Sequence, residues 1–349
     1  MRTAIGLHEL LFDDDVDAAI ERVVDAERMG VDTVWSAEAW GTDAFVPLAY
    51  VAARTERIRL ATGIAQVTAR APVMTAMTAM TLDRLSKGRL LLGLGVSGPQ
   101  VVEGLHGQRY DRPLERLRET VDVIRLALRG EKIEYHGRQI ELPLPGGQGK
   151  VLRLSQSPRP DIPIHLATLG PRGLEYTGAT ADGWVGTCFV PEDGQYFLDH
   201  LGAGAARAGR SLADIEISVG VPVVFTTDVE RPLGVRKKAL AFQISAMGSP
   251  TTNFYFDAYA RVGYHEDCDR VRSLYLSGRR DEAYAAVPDE LALRTSMFGT
   301  DEMIRERIRA FRAAGVTDLR IEPIGRTPTA KLDTLGRVLD LVRDVTTAT

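Results

Sequence analysis

The chain has 349 residues, 44% hydrophobic and 26% charged, with 43 Lys and Arg against 47 Asp and Glu for a net charge of −4. That length fills one large barrel or two domains, and the near-balanced charge lacks the basic footprint of a nucleic-acid binder, leaving small molecules as the default partners. Two cysteines, Cys188 and Cys268, are too few for a disulfide framework or a four-cysteine metal site, which fits a reducing cytoplasm, and no apolar run reaches the length of a membrane span.

Strand and helix signals alternate from the start. MRTAIGLHEL opens as a strand over 3–7, with no pattern expected of a secretion leader. Asp15 to Met29 places Val16, Ala19, Ile20, Val23 and Val24 on one helical face, and Gly30 stops it. Thr33 to Ser36 reads as a second strand with a helix from about Ala44 to Arg54; Ile58 to Ile64 is a third, with a helix from Pro72 to Leu85. Met74, Met77 and Met80 on that helix are expected in the core or at a subunit interface.

The run TLDRLSKGRLLLGLGVSGPQ, Thr81 to Gln100, is the most informative stretch. Lys87 and Gly88 close a helix, and Leu90, Leu91, Leu92 and Leu94 form the continuous apolar strand expected when both faces are covered. Gly93, Gly95 and Gly98 then bring bare backbone to a binding edge. They also spell the dinucleotide pattern G-x-G-x-x-G, but no long helix opens on them and the acid at the right distance, Glu115, falls inside a later helix, so that reading fails.

Pro113 to Leu128 is the next helix, and 132–157 is expected to form a hairpin insertion with turn residues at Pro143 to Gly149. Ile162 to Ala167, Gly183 to Thr187 and Ile215 to Phe225 follow as strands, with helices after Pro171 and from about Pro191 to Ala208. A mostly helical, aromatic-rich insertion is expected over 231–298; Asp301 to Ala314 is a helix capped by Thr300, Asp318 to Ile321 the eighth strand, and Leu332 to Val345 the closing helix. Eight strand–helix pairs without a composition break predict one α/β domain, a (β/α)8 TIM barrel over 1–349 with its site at the carboxyl ends of the strands.

Three segments carry a family resemblance: WSAEAWGTDAF, RIRLATGIAQVTARAP with the leucine–glycine run, and IPIHLATLGPRGLEYTGATADGWVGT. Together they resemble the bacterial luciferase-like superfamily, and within it the oxidoreductases that use the deazaflavin coenzyme F420. The resemblance implies a cis peptide at Gly63–Ile64, bulging against the middle ring of the cofactor. Gln66 and Thr68 would face the ring edge or ribityl chain; Val96, Ser97, Gly98 and Pro99 would lie beside the cofactor tail. Thr168, Leu169, Gly170, Pro171 and Arg172, between a strand and a helix start, would hold its phosphate.

Many relatives carry Asp-His at the end of the second strand, where this chain has Ala37-Glu38. Glu38 becomes the expected proton partner, with Trp40 walling the substrate pocket and His8 and Thr187 on the same rim. No metal site is expected. The activity implied is hydride transfer between the deazaflavin and a small organic substrate, by a cytoplasmic homodimer. The alternatives are a monooxygenase using flavin mononucleotide (FMN) on the same barrel, and a barrel that binds the cofactor without turnover.

Overall fold

The computed structural model describes residues 1–7, 15–38, 40–249, 251–325 and 327–347. Its first half runs β1 (Arg2–Gly6), α1 (Val16–Met29), β2 (Thr33–Ser36), α2 (Val46–Arg54), β3 (Arg59–Thr62), β4 (Ala65–Gln66), α3 (Pro72–Leu85), β5 (Leu90–Gly95), α4 (Pro99–Gly104) and α5 (Pro113–Leu128). Strands β6 (Tyr135–His136) and β7 (Glu141–Leu142) form a hairpin; then come β8 (Ile164–Ala167), α6 (Pro171–Thr180), β9 (Gly183–Gly186), α7 (Gln195–Arg207) and β10 (Glu216–Phe225). Helices α8 (Glu230–Ala246), α9 (Phe254–Tyr259), α10 (His265–Leu276), α11 (Arg280–Ala286) and α12 (Asp289–Arg294) precede β11 (Met297–Gly299), α13 (Asp301–Ala313), β12 (Asp318–Pro323) and α14 (Pro328–Thr347).

Strands β1, β2, β3, β5, β8, β9, β10 and β12 pair in parallel in that order, and β12 pairs back to β1, so the sheet closes. The (β/α)8 barrel predicted from alternation is therefore present. Local chemistry sets its boundaries. The Asp15 side chain accepts from the Ala18 amide at 2.9 Å to start α1, and Gly30 ends it at φ 98°. Alternation within β5 divides two cores: Leu90, Leu92 and Leu94 pack under the helices, while Leu91 joins Ala4, Trp35, Ala61 and Val185 in the lumen.

Four details depart from the expected elements. The third strand stops at Thr62 instead of continuing to Ile64. The crossing after Gly98 contains the short helix α4, and the segment after α8 ends in strand β11, paired to β10. The hairpin turns at 137–140, ahead of Pro143. Its cause is Glu119 on α5, whose carboxylate accepts from the amides of Arg138, Gln139 and Ile140 at 2.9, 2.8 and 2.7 Å. Pro143 to Gly149 lies in the wider loop closed by the Ile133–Leu152 bridge. No described helix is long and apolar enough to cross a membrane.

Candidate functional site

At the carboxyl rim, β3 breaks and restarts. Ala61 pairs with Leu91 and Ala65 with Leu94, so four steps on one side meet three on the other and one residue is extra. The result is a bulge centred on Gly63–Ile64, whose peptide bond is cis. The Thr62 hydroxyl fills the gap in the ladder: it donates to the Gly93 carbonyl and accepts from the Gly93 amide, both at 2.8 Å. Three glycines make room. A Cβ on Gly93 would overlap the Thr62 carbonyl oxygen, one on Gly63 would sit 2.7 Å from the Trp35 ring, and one on Gly95 would sit 2.9 Å from the Ile64 side chain. Trp35, Gly63, Ile64 and Ala167 thus line an apolar cradle at the barrel mouth.

Glu38, two residues past β2, latches this bulge. Its Oε1 accepts from the Gln66 amide at 2.7 Å, and both carboxylate oxygens accept from the Arg70 guanidinium at 2.9 Å. The Gln66 side-chain amide returns a bond to the Glu38 carbonyl at 3.0 Å. Arg70 also pairs with Asp43, whose Oδ1 accepts from the Phe45 and Val46 amides at 2.7 Å and starts α2 later than expected. The Glu38 side chain is only 9% exposed. Every contact to its carboxylate comes from a donor, so in this arrangement the group is an acceptor that ties the ends of β2 and β4 together.

The neighbouring loops carry the other expected residues. Ser97 adopts φ 59°, and its carbonyl accepts from the Tyr110 hydroxyl at 3.1 Å, which ties the loop after β5 to the start of α5. Gly98 precedes α4 and Pro99 opens it. Thr68 turns toward His106 Nδ1, 2.9 Å away, with Gln108 donating to its carbonyl. Thr168 faces inward: its hydroxyl bonds Thr177 at 2.8 Å and its carbonyl accepts from Trp184. Of the proposed phosphate set, Leu169, Gly170, Pro171 and Arg172 remain at the surface end, where α6 starts without a side-chain cap and a Cβ on Gly170 would meet open space. Uncapped amides of that kind suit an anion. Trp40 stands 65% exposed on the rim, and half-buried Thr187 follows β9. His8 lies outside the described residues.

Cys188, beside Thr187, is buried at φ 61°, and burial pushes its thiol up to about 12, so it has no thiolate to offer. Tyr255, on the aromatic helix α9, is likewise pushed up to about 12 by burial, and Phe254 beside it approaches Tyr110 at 6.5 Å. The helical segment after β10 thereby reaches the loop after β5 across the mouth.

The opposite end of the lumen is closed by charge. Arg59 bonds Glu216 at 2.9 and 3.0 Å and lies 3.8 Å from Asp318, which accepts from Ser218 at 2.7 Å; Arg2 also pairs with Glu216. Burial alone would raise the Glu216 carboxyl, but the Arg59 hydrogen bond together with the charges of Arg59, His165 and Arg2 holds the group below its usual range. Burial raises Asp318 and pushes His165, enclosed above Gly183, down to about 4. No group of three or more possible metal ligands occurs among the described residues.

Sequence reading did not single out Arg70, Tyr110, Arg320 or Glu322. Arg70 lies four residues past Gln66 in the quoted motif, a spacing that carries no meaning until the bulge folds it back onto Glu38. The last two sit on β12, where the period-two rule alone would have placed both in the lumen with Asp318.

The model of the luciferase-like monooxygenase family matches residues 2–318. A Mycobacterium tuberculosis protein assigned as a coenzyme F420-dependent oxidoreductase is 43% identical over 305 residues, 85% of this chain and 88% of that one. The 5,10-methylenetetrahydromethanopterin reductase of Archaeoglobus fulgidus is 26% identical over 319 residues, covering 89% and 91%. Among solved structures, the coenzyme F420-dependent tetrahydromethanopterin reductase from Methanopyrus kandleri superposes with a TM-score of 0.75 at 22% identity, over 96% of each chain. By the extent of the family match and by its 43% identical relative, this chain belongs to the luciferase-like monooxygenase family.

Proposed function

We propose that this protein transfers a hydride between coenzyme F420 and a small organic substrate at the carboxyl rim of its barrel. The coarser statement follows from the relatives: the chain is a coenzyme F420-dependent oxidoreductase. The observation that supports the finer one is the Gly63–Ile64 bulge at the barrel mouth, which the glycines at 63, 93 and 95 leave room for and which sets Ile64 beside Trp35 and Ala167 as an apolar wall for a flat ring. When bound, the deazaflavin supplies a carbon centre that gives or takes a hydride.

In this proposal the chain supplies position, charge and exclusion of water. Ile64 and Trp35 form the wall, and Gln66 and Thr68 border it. The amides opening α6, with Arg172 beside them, hold the phosphate, while Ser97, Gly98 and Pro99 give backbone to the tail. Trp40 and Thr187 border the substrate, and Tyr110 with helix α9 limits water from the far side. Glu38 is the proposed proton partner, oriented by Arg70. The protein works in a reducing cytoplasm as a homodimer, for which the exposed apolar side chains Val46 and Tyr50 on α2 and Met74, Met77 and Leu85 on α3 offer a surface. Met80, by contrast, is buried in the core.

Fluorescence titration with oxidised coenzyme F420 and with flavin mononucleotide tests the reading. Saturable deazaflavin binding without oxygen uptake on reduced flavin is the expected result; oxygen uptake with reduced flavin would establish the monooxygenase instead. Screening enones, imines and alcohols against the reduced complex follows, and failure of every oxidant would favour the barrel that only binds. In a working assay, Glu38→Gln should slow turnover at least tenfold, and unchanged turnover removes the proton role.

A further inference from the structure

Strand β12 sends Asp318, Arg320 and Glu322 to one face at every second residue. Asp318 completes the charged floor. The other two lie in the mouth, and their lumen placement is fixed by their neighbours. The Arg320 guanidinium sits 5.9 Å from the Trp35 ring, and a Cβ on Gly220, its partner in register on β10, would meet both Arg320 Nη2 and Glu322 Oε1 at 2.5 Å. Trp35 in turn underlies Gly63 and Gly93, so one indole separates the guanidinium from the bulge.

This pair is looser than the Arg59–Glu216 pair of the floor, which meets at 2.9 and 3.0 Å. Arg320 Nε is buried without a hydrogen-bond partner, and the nearest carboxylate atom, Glu322 Oε1, is 3.5 Å away. The side chains are 16% and 32% exposed. A guanidinium stays charged at any ordinary pH, and a buried donor left unmade costs free energy unless something arrives to accept from it.

We propose that Arg320 is the positioning cation of the ligand site, set to stabilise the negative charge that a redox ring gains on reduction, with Glu322 holding it and partly offsetting its field. The proposal rests on the functional reading above. A hydride leaves the donor with its bonding pair, the donor is oxidised, and a new C–H bond forms on the reduced ring. Two electrons arrive with one proton, so the ring carries one additional negative charge until a further proton follows. A fixed cation within the low-dielectric mouth favours that reduced, anionic form over the oxidised one.

Equilibrium binding of oxidised and of reduced coenzyme F420, measured anaerobically by fluorescence, gives a ratio of Kd values that needs no substrate and no turnover. In Arg320→Gln the ratio of reduced to oxidised Kd should rise by about tenfold, and in Glu322→Gln it should fall by about threefold, because the cation then loses its counter-charge. Loss of packing would shift both variants the same way. Arg320→Lys keeps the charge and should keep most of the native ratio, and if Arg320→Gln fails to fold, the Glu322→Gln and Arg320→Lys pair carries the test. Ratios that stay within twofold, or that move together, overturn the role of Arg320 while leaving deazaflavin binding intact. If the native protein binds only flavin mononucleotide, the same ratio is read on reduced and oxidised flavin with the same two outcomes. Binding of neither cofactor removes the functional reading and this proposal with it.

Discussion

The two ends of the lumen solve opposite problems with similar residues. At the floor, Arg59 has Glu216 at hydrogen-bond distance and Asp318 nearby, and Asp318 accepts from Ser218. At the mouth, Trp35, Ile64 and Ala167 stand beside glycines, and the Arg320–Glu322 pair is looser, at 3.5 Å. Buried charges contribute to a fold only when they are paired, and the two hydrogen bonds between Arg59 and Glu216 brace the floor in that way. The mouth leaves space and an unmet donor, as a site awaiting a ligand would. Substitutions should therefore separate the ends: floor changes move stability, and mouth changes move binding.

The largest effect is expected where the ends meet, at Gly93. A side chain there would overlap the Thr62 carbonyl and break the two hydrogen bonds between the Thr62 hydroxyl and the Gly93 backbone. Gly93→Val should cost about 3 kcal/mol or more in denaturant unfolding, the upper part of the range for overpacking. A variant that unfolds like the native protein would mean that the bulge is not fixed by this contact.

Next in size is the acid response of the floor. His165 titrates at about 4 when folded against 6.5 for the free side chain. Between those values the unfolded chain binds the proton and the folded one does not, so this contribution is complete above pH 6.5 and lost as pH falls toward 4. The expected loss is roughly 3 kcal/mol at the conversion of 1.36 kcal/mol per pKa unit. Unfolding measured from pH 7 to 4.5 should show the slope in the native protein and a shallower one in His165→Asn, and direct NMR titration of the ring gives the same answer without a variant. A His165 ring that protonates near 6.5 would show that the floor admits water.

Much of this architecture was legible in the chain itself, for identifiable reasons. The leucine run, the glycine and proline boundaries and the helical spacing of α1 and α5 are local signals, and they placed the barrel strands within a few residues. The site was legible only in part. Gly63 and Ile64 came from the family resemblance, since neither propensity nor spacing marks a bulge whose partner is Gly93, thirty residues on. Glu38 was found as a carboxyl on the rim, but its latch to Arg70 and Gln66 depends on the bulge's shape. Thr168 looked available for a phosphate and is committed to Thr177 instead, a contact set by how α6 turns back over β8. Long-range pairing was the missing information in each case.

The smallest effect on stability should come from Trp40, and it sharpens the contrast most. A tryptophan 65% exposed on the rim contributes little to the folded state, so Trp40→Ala should alter unfolding by no more than about 0.5 kcal/mol. If a ligand covers that ring, burying about 100 Å² of it contributes about 2.5 kcal/mol, and the same substitution should weaken binding of the covered ligand by at least tenfold. Comparing deazaflavin affinity with the KM for substrate then shows which of the two lies against the indole: a change in KM alone assigns Trp40 to the substrate side. Loss of more than 1 kcal/mol of stability with unchanged binding would instead make Trp40 a brace for its own loop, and the pocket wall would have to be sought around Thr187 and helix α9.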